Sequence, residues 1–97
     1  MRKNYTKESE KLLERKLAHG VKEKGGICLK LPAIHFAGIP DRLCLFPGGW
    51  FVFVELKTTG EKPRRIQSVV HSRLRRMGFE VLIIDKSEQI INLLKRP

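Results

Sequence analysis

The sequence has 97 residues, enough for one hydrophobic core and too few for two, so we expect a single domain over residues 1–97. The hydrophobic fraction of 41% is ordinary for a folded chain, and no apolar run approaches the roughly 20 residues that a membrane span requires. Twenty Lys and Arg against ten Asp and Glu leave a net charge of +10, which favours a polyanion as partner, although solubility alone would also explain it.

The first half of the chain predicts one helix followed by three strands. Thr6 or Ser9 is expected to cap a helix that runs to about Lys24 and buries an apolar stripe made of Leu12, Leu13, Leu17 and Val21. Residues 27–31 and 42–46 have the composition of strands. A PGG turn then leads to WFVFVELK, residues 50–57, which predicts a third strand.

The second half predicts helix, strand and helix after a polar, basic connection. The second helix is expected from about Arg65 to Met77, with its core side chains being Ile66, Val70, Leu74 and Met77. FEVLIID, residues 79–85, predicts a strand covered on both faces, and Ser87 is expected to cap the last helix. The order α-β-β-β-α-β-α indicates an α/β fold, in which helices flank a mixed β-sheet.

Charged residues interrupt the second and third predicted strands, where apolar ones would be expected. If residues 47–49 form a three-residue turn, Phe46 pairs with Trp50, and counting back places Asp41 opposite Glu55. Directly opposed side chains have Cβ atoms about 5 Å apart, so the two carboxylates could share one small cation. Lys57 follows on the same strand face as Glu55, because side chains alternate along a strand.

Two carboxylates at this separation repel each other unless a cation lies between them. Mg²⁺ and Mn²⁺ take oxygen ligands and keep several waters, so the pattern predicts metal-assisted hydrolysis of a phosphate ester, with Lys57 orienting water or stabilising charge on the phosphate. The alternative is an ion pair between Glu55 and Lys57 at a strand end, with Asp41 a turn residue after Pro40.

An ordered set of motifs over about residues 9–91 resembles the VRR-NUC branch of the PD-(D/E)xK nucleases. The matching segments are SEKLLERKL, GGICLKL, GIPDRL, PGG, FVELK, KPRRIQ and RRMGFEVLIID. The resemblance implies a restriction-endonuclease-like core and a Mg²⁺- or Mn²⁺-dependent endonuclease that acts on DNA. Stand-alone minimal members resemble Holliday junction resolvases, so a branched DNA substrate and a homodimer are implied as well. No membrane partner or small-molecule cofactor is expected.

The resemblance also implies roles for individual residues. Asp41 and Glu55 correspond to the metal-binding acids, the Leu56 carbonyl to a further metal ligand, and Lys57 to the catalytic lysine. The helical glutamate of the family corresponds best to Glu10, which would bind metal and take part in catalysis, with Glu14 as the alternative. Gln67 corresponds to the family's active-site glutamine; for it the alternative is a helix-start side chain that bonds backbone.

Basic residues are concentrated after the third strand. Residues 57–76 hold seven Lys and Arg and one Glu, and this cluster is expected to hold the DNA backbone through Lys62, Arg64, Arg65, Arg73 and Arg76. A non-catalytic nucleic-acid-binding module, or a subunit of a phage or repair complex, is the alternative function. His19, His35 and His71 show no metal-ligand spacing and are expected to be surface or packing residues.

A cytoplasmic location, in a bacterial or phage-infected cell, is expected for this chain. Cys28 and Cys44 lie in apolar runs and are expected to stay reduced, and the N-terminus lacks the apolar segment of a signal peptide.

Overall fold

The computed structural model describes residues 6–97 and contains the predicted order of helices and strands. Boundaries differ from the predicted ones by one or two residues, as is usual at element ends. The elements are α1 (Glu10–Glu23), β1 (Ile27–Lys30), β2 (Arg42–Phe46), β3 (Trp50–Leu56), α2 (Arg65–Arg76), β4 (Val81–Ile84) and α3 (Ser87–Leu94).

The four strands form one mixed sheet in the order β1-β2-β3-β4, in which β1, β2 and β3 are antiparallel and β4 is parallel to β3. The predicted register of the β2–β3 hairpin is confirmed: Phe46 pairs with Trp50, and the ladder continues to Arg42 opposite Val54. Gly48 and Gly49 in the turn have φ values of 93° and 83°, which side chains with a Cβ rarely adopt. The turn therefore fixes the register on which the site depends.

Helices α1 and α3 cover one face of the sheet and enclose the main core. Ser9 caps α1 as predicted, since its Oγ accepts a hydrogen bond from the Leu12 amide at 3.1 Å. The two helices approach closely where Gly20 faces Leu94, because a Cβ on Gly20 would lie 2.3 Å from Leu94 Cδ1. Residues of this core are Leu13, Leu17, Val21, Cys44, Phe46, Val52, Val54, Leu56, Ile84, Ile90 and Leu93.

Helix α2 covers part of the opposite face, and the sequence-based prediction of its buried side was wrong in part. Val70 and Leu74 are buried as expected, but Ile66 is 48% and Met77 62% exposed. The inward side instead carries Gln67 and His71, one helical turn apart. The helix is turned toward a polar group on the sheet, which an apolar stripe alone could not predict.

The prediction for the start of α3 also needs correction. Ser87 is the first residue of the helix, and Lys86 occupies the N-cap position. The side chain of Gln89 takes over the capping, because its Oε1 accepts hydrogen bonds from the amides of Asp85 at 2.7 Å and Lys86 at 3.0 Å. Ser87 instead bonds to Glu8, which precedes α1.

The part of the sheet beyond α2 is apolar and uncovered in residues 6–97. Ile27 is 57% exposed, Leu29 and Phe51 are also exposed, and the half-buried Leu43 and Leu45 lie between them on β2. We call these five residues the open sheet face. None of the helices in residues 6–97 is long and apolar enough to cross a membrane.

Candidate active site

Asp41 is held at the beginning of β2 by backbone contacts on both sides. Its carbonyl accepts a hydrogen bond from the Leu31 amide at 2.7 Å, and its Oδ2 accepts one from the Leu56 amide at 2.9 Å. The preceding loop packs tightly on α2, since Gly38 has a φ of 88° and a Cβ there would lie 2.6 Å from the Ile66 carbonyl oxygen. The GIPD segment therefore places Asp41 beside the end of β3.

Glu55, near the end of β3, is a buried carboxylate with an incomplete set of partners. It is 1% exposed, and its Oε2 accepts a hydrogen bond from Gln67 Nε2 at 2.8 Å. The ammonium of Lys57 lies 3.5 Å from the same oxygen. Oε1 has no hydrogen-bond partner, and His71 Nε2 is 3.6 Å from it. A buried carboxylate oxygen without a partner is costly, which favours an additional ligand at this position.

The surroundings of Glu55 raise its pKa to about 7 from an ordinary 4.5. Burial is the largest cause, the negative charge of Asp41 is the next, and the Lys57 ammonium opposes both. Asp41 therefore lies close enough to Glu55 for the charges of the two carboxylates to repel each other. Such a pair is unfavourable at neutral pH unless a cation compensates the charge.

The oxygen donors at this site fit a divalent cation. Two neighbouring carboxylates, those of Asp41 and Glu55, offer the hard oxygen ligands that Mg²⁺ and Mn²⁺ accept. The Leu56 amide donates to Asp41 Oδ2, and the role of the Leu56 carbonyl as a ligand stays a prediction. Within residues 6–97 no group of three or more His, Cys, Asp or Glu side chains has a metal-binding arrangement. A Mg²⁺ ion held by two carboxylates would take its other ligands from water and substrate oxygens, as is usual for that ion.

Lys57 follows β3 directly and stays in register with the sheet. Its amide donates to the Ile84 carbonyl at 3.0 Å, and only 13% of its side chain is exposed. The ammonium lies on the same side of the sheet as the Glu55 carboxylate. The ion pair that sequence analysis kept as an alternative is therefore present, within the same group of residues as Asp41.

Gln67 joins the start of α2 to Glu55. Its Oε1 accepts a hydrogen bond from the Arg64 amide at 2.8 Å, while its Nε2 donates to Glu55. The side chain of Gln67 thus bonds backbone at the start of the helix, as one interpretation of the sequence predicts, and it also contacts the buried carboxylate of Glu55, as the other predicts. Two fixed bonds leave the amide group one orientation.

The two candidate glutamates of α1 have different surroundings. Glu14 forms an ion pair with Arg42, which is buried and also donates to the Asp41 carbonyl at 3.1 Å. Glu10 is exposed at the first turn, and its amide donates to Thr58 Oγ1 at 3.3 Å, just past Lys57. Among residues 6–97 Glu10 forms no ion pair, although its negative charge acts on Arg42. Its role stays a prediction.

The five basic residues predicted to hold DNA are all exposed. Lys62 lies in the loop before α2, Arg64 and Arg65 lie at the start of that helix, and Arg73 and Arg76 lie in its last turns. The helix is about 17 Å long at 1.5 Å per residue, so these side chains form two groups, one beside Gln67 and one remote from it. Their contact with DNA stays a prediction.

A network that sequence analysis missed ties down the loop after Lys57. Thr59 Oγ1 donates to the Asp85 carbonyl at 2.6 Å and accepts from the Glu8 amide at 2.9 Å. The Gly60 amide donates to Asp85 Oδ2 at 3.0 Å. The start of α1, the end of β3 and the end of β4 are thus joined next to the site. The two threonines of TTGEK only weakly indicate such a network, because their partners lie far away in sequence.

Sequence analysis also missed the contact of His71 with Glu55, in which His71 Nε2 lies 3.6 Å from the unpartnered Oε1. Single histidines are usually surface or packing residues, so the sequence gives no strong reason to place His71 at the site. Its position four residues after Gln67, on the same side of α2, is the one pattern that indicates a shared contact. His19 and His35 are exposed, and His19 pairs with Glu23 on α1 at 3.3 Å.

Comparison with known proteins agrees with the fold. No family model matches the sequence. The chain is 38% identical over 79 residues to "Putative nuclease p44" of Acyrthosiphon pisum secondary endosymbiont phage 1, covering 81% of this chain and 85% of that protein. A solved structure described as "VRR_NUC domain" superposes with a TM-score of 0.83 and 26% identity, over 92% of this chain and 98% of that one. With this fold and this degree of identity, the chain belongs to the VRR-NUC family.

Proposed function

We propose that this protein is a Mg²⁺- or Mn²⁺-dependent endonuclease that hydrolyses phosphodiester bonds of DNA. The observation that carries the proposal is the group formed by Asp41, Glu55 and Lys57, in which two adjoining carboxylates lie beside one ammonium at the end of a strand pair. The membership of the family and the net charge of +10 support a nuclease and a polyanionic substrate.

The proposed chemistry divides the work among the residues of the site. Asp41, Glu55 and the Leu56 carbonyl would hold the cation, which supplies Lewis-acid activation of the phosphate and of the attacking water. Lys57 donates hydrogen bonds to the charge that builds on the phosphate oxygens. Gln67 keeps the Glu55 carboxylate oriented. Glu10 accepts hydrogen bonds from water at the edge of the site, or adds a ligand for a second ion.

The basic residues of the loop and α2 would bind the backbone of the DNA rather than read its sequence. Lys62, Arg64 and Arg65 lie next to the site, so they are suited to the phosphates that flank the cleaved bond. Arg73 and Arg76 lie further along the helix, where a second duplex arm of a branched substrate would find them. No recognition motif for bases is present, so structure rather than sequence would select the substrate.

A homodimer would present two sites to a branched DNA, as the resemblance to Holliday junction resolvases implies. The open sheet face supports a second copy as its occupant, since its five residues are apolar and carry no charge that could hold DNA. Light scattering should give twice the monomer mass for the wild type and the monomer mass for Phe51→Lys. A monomeric wild type at micromolar concentration would contradict the dimer and leave the proposed chemistry standing.

The central experiment is cleavage of labelled four-way junctions and linear duplexes with Mn²⁺ and with EDTA. We expect cutting only with the cation, a loss of at least 10²-fold in rate for Lys57→Ala, and unchanged DNA binding by that variant. Lys22→Ala, an exposed lysine at the end of α1, is the matched control. Binding without cutting, with every cation tried, would instead favour the alternative of a non-catalytic module or a subunit of a phage or repair complex.

A further inference from the structure

Three buried side-chain polar atoms within residues 6–97 lack a hydrogen-bond partner, and they belong to two residues. They are Oε1 of Glu55 and both ring nitrogens of His71. The two residues face each other, with 3.6 Å between His71 Nε2 and Glu55 Oε1. His71 has no exposed surface, and it comes from α2, whereas Glu55 comes from the sheet.

Leaving these atoms without a partner is expensive, and a small movement would connect them. A buried donor or acceptor without a partner destabilises the folded protein. A normal N–H···O bond has 2.7–3.2 Å between its heavy atoms, so a shift of about 0.5 Å of the ring or the carboxylate is enough. Glu55 offers an acceptor at this position, and a neutral imidazole offers one N–H donor.

The hydrogen bond depends on which ring nitrogen of His71 carries the proton, because a neutral imidazole has one N–H donor and one acceptor nitrogen.

We propose that His71 is a positioning residue, whose Nε2–H donates to Glu55 Oε1 and fixes the carboxylate that holds the cation. Gln67 already bonds the other oxygen, so the two side chains of α2 together set the plane of the carboxylate. Each oxygen keeps a lone pair for the cation. The proposal rests on the proposed function in one respect, since it takes Glu55 to be a cation ligand.

The first test needs neither cation nor DNA. Long-range ¹H–¹⁵N correlation spectra of the imidazole groups identify which ring nitrogen of His71 carries the proton. We expect the Nε2–H form in EDTA for the wild-type protein at a pH well above 7, where Glu55, with a pKa of about 7, is ionised and both of its oxygens accept. The Nδ1–H form would overturn the proposal, because Nε2 could then only accept and would face an acceptor oxygen.

The second test compares His71→Gln with His71→Asn. Both are uncharged amides for the same buried position, but only Gln places its NH₂ where Nε2 lies, and Asn is one carbon shorter. Cation affinity is read from the Mn²⁺ concentration that gives half of the thermal stabilisation. We expect a value within about 3-fold of wild type for Gln and at least about 10-fold higher for Asn, as is usual when a partner of a metal ligand is lost.

Equal Mn²⁺ affinities for the two amide variants would show that His71 only fills space. His19→Asn, which changes an exposed histidine of α1, is the control and should leave the affinity unchanged. If one amide variant fails to fold, the ring proton of the wild type still decides. If the protein binds Mn²⁺ but cuts no DNA, the nuclease proposal fails while the proposal for His71 stands or falls by the two tests above.

Discussion

Replacing Glu55 by Gln is expected to stabilise the cation-free protein at pH 8 while it abolishes cleavage. In the folded protein the pKa of Glu55 is about 7 against an ordinary 4.5, chiefly because the carboxylate is buried and faces Asp41. A proton is therefore bound more tightly in the folded state than in the unfolded chain. Stability from this group is complete below pH 4.5 and is lost as the pH rises toward 7.

The size of the effect follows from the same difference in pKa. One pKa unit corresponds to 1.36 kcal/mol, so ionising Glu55 in the folded protein costs about 3 kcal/mol at most above pH 7. A Gln side chain at position 55 keeps an oxygen that accepts from Gln67 and carries no charge. The variant therefore does not lose stability by ionisation as the pH rises. For a domain of this size 1 kcal/mol shifts Tm by roughly 4–8 °C, so we expect Glu55→Gln to melt up to about 12–24 °C higher at pH 8.

Thermal melts in EDTA between pH 4.5 and pH 8 measure this effect directly. The advantage of Glu55→Gln should grow from near zero at the acid end to its full size at pH 8, and Mn²⁺ should restore stability to the wild type alone. Glu80→Gln is a control of opposite sign, because the Arg96 guanidinium holds the pKa of Glu80 below its ordinary value. A Glu55→Gln advantage that is absent, or equal at every pH, would refute the argument that this carboxylate is buried at a cost.

Three further predictions concern the surroundings of the site. Glu14→Ala should lower the free energy of unfolding by about 1–3 kcal/mol, since it leaves the buried Arg42 without its ion pair, whereas Glu10→Ala should change it by less than about 0.5 kcal/mol and reduce cleavage. Denaturant titration of both variants measures the difference, and an equal loss of stability would contradict a structural role for Glu14 and a site role for Glu10. Glu8→Gln should lower the free energy of unfolding by about 1 kcal/mol at pH 7, because hydrogen bonds from Ser87 hold the pKa of Glu8 below 4.5. The difference in Tm between this variant and the wild type should vanish as the pH falls through that lowered pKa. Arg65→Gln should weaken binding to every DNA sequence alike and reduce the slope of log K against log[salt] by about 1, as measured by fluorescence anisotropy; a loss confined to some sequences would indicate base readout instead.

The parts of the site that sequence predicted are those that follow from strand periodicity. Alternation along β3 places Glu55 and Lys57 on one face, and the three-residue turn sets the register, which the structure shows as far as Arg42 opposite Val54. Both rules involve neighbours within one hairpin, so they can be applied without knowing the rest of the fold. The order of elements is equally local, since each helix and strand carries its own apolar period and end signals.

The parts that sequence missed depend on how separate elements pack. Which side of α2 faces inward was predicted from its apolar residues, yet the buried carboxylate draws Gln67 and His71 inward and leaves Ile66 exposed. Sequence analysis placed the N-cap of α3 at Ser87 rather than at Lys86. In the structure Gln89 accepts the hydrogen bond from the Lys86 amide, and Ser87 donates its own amide to Glu8. A polar contact between distant residues outweighed the local preference in both cases.

The hydrogen bonds that fasten the segment after Lys57 have a consequence for biosynthesis. Glu8 bonds to Ser87 across 79 positions, and Gly60 bonds to Asp85 across 25, so the segment around Lys57 is fully supported only when β4 and α3 have docked. A nascent chain that has not yet been synthesised through Ser87 lacks this support. Assembly of the candidate site therefore waits for the residues that follow β4.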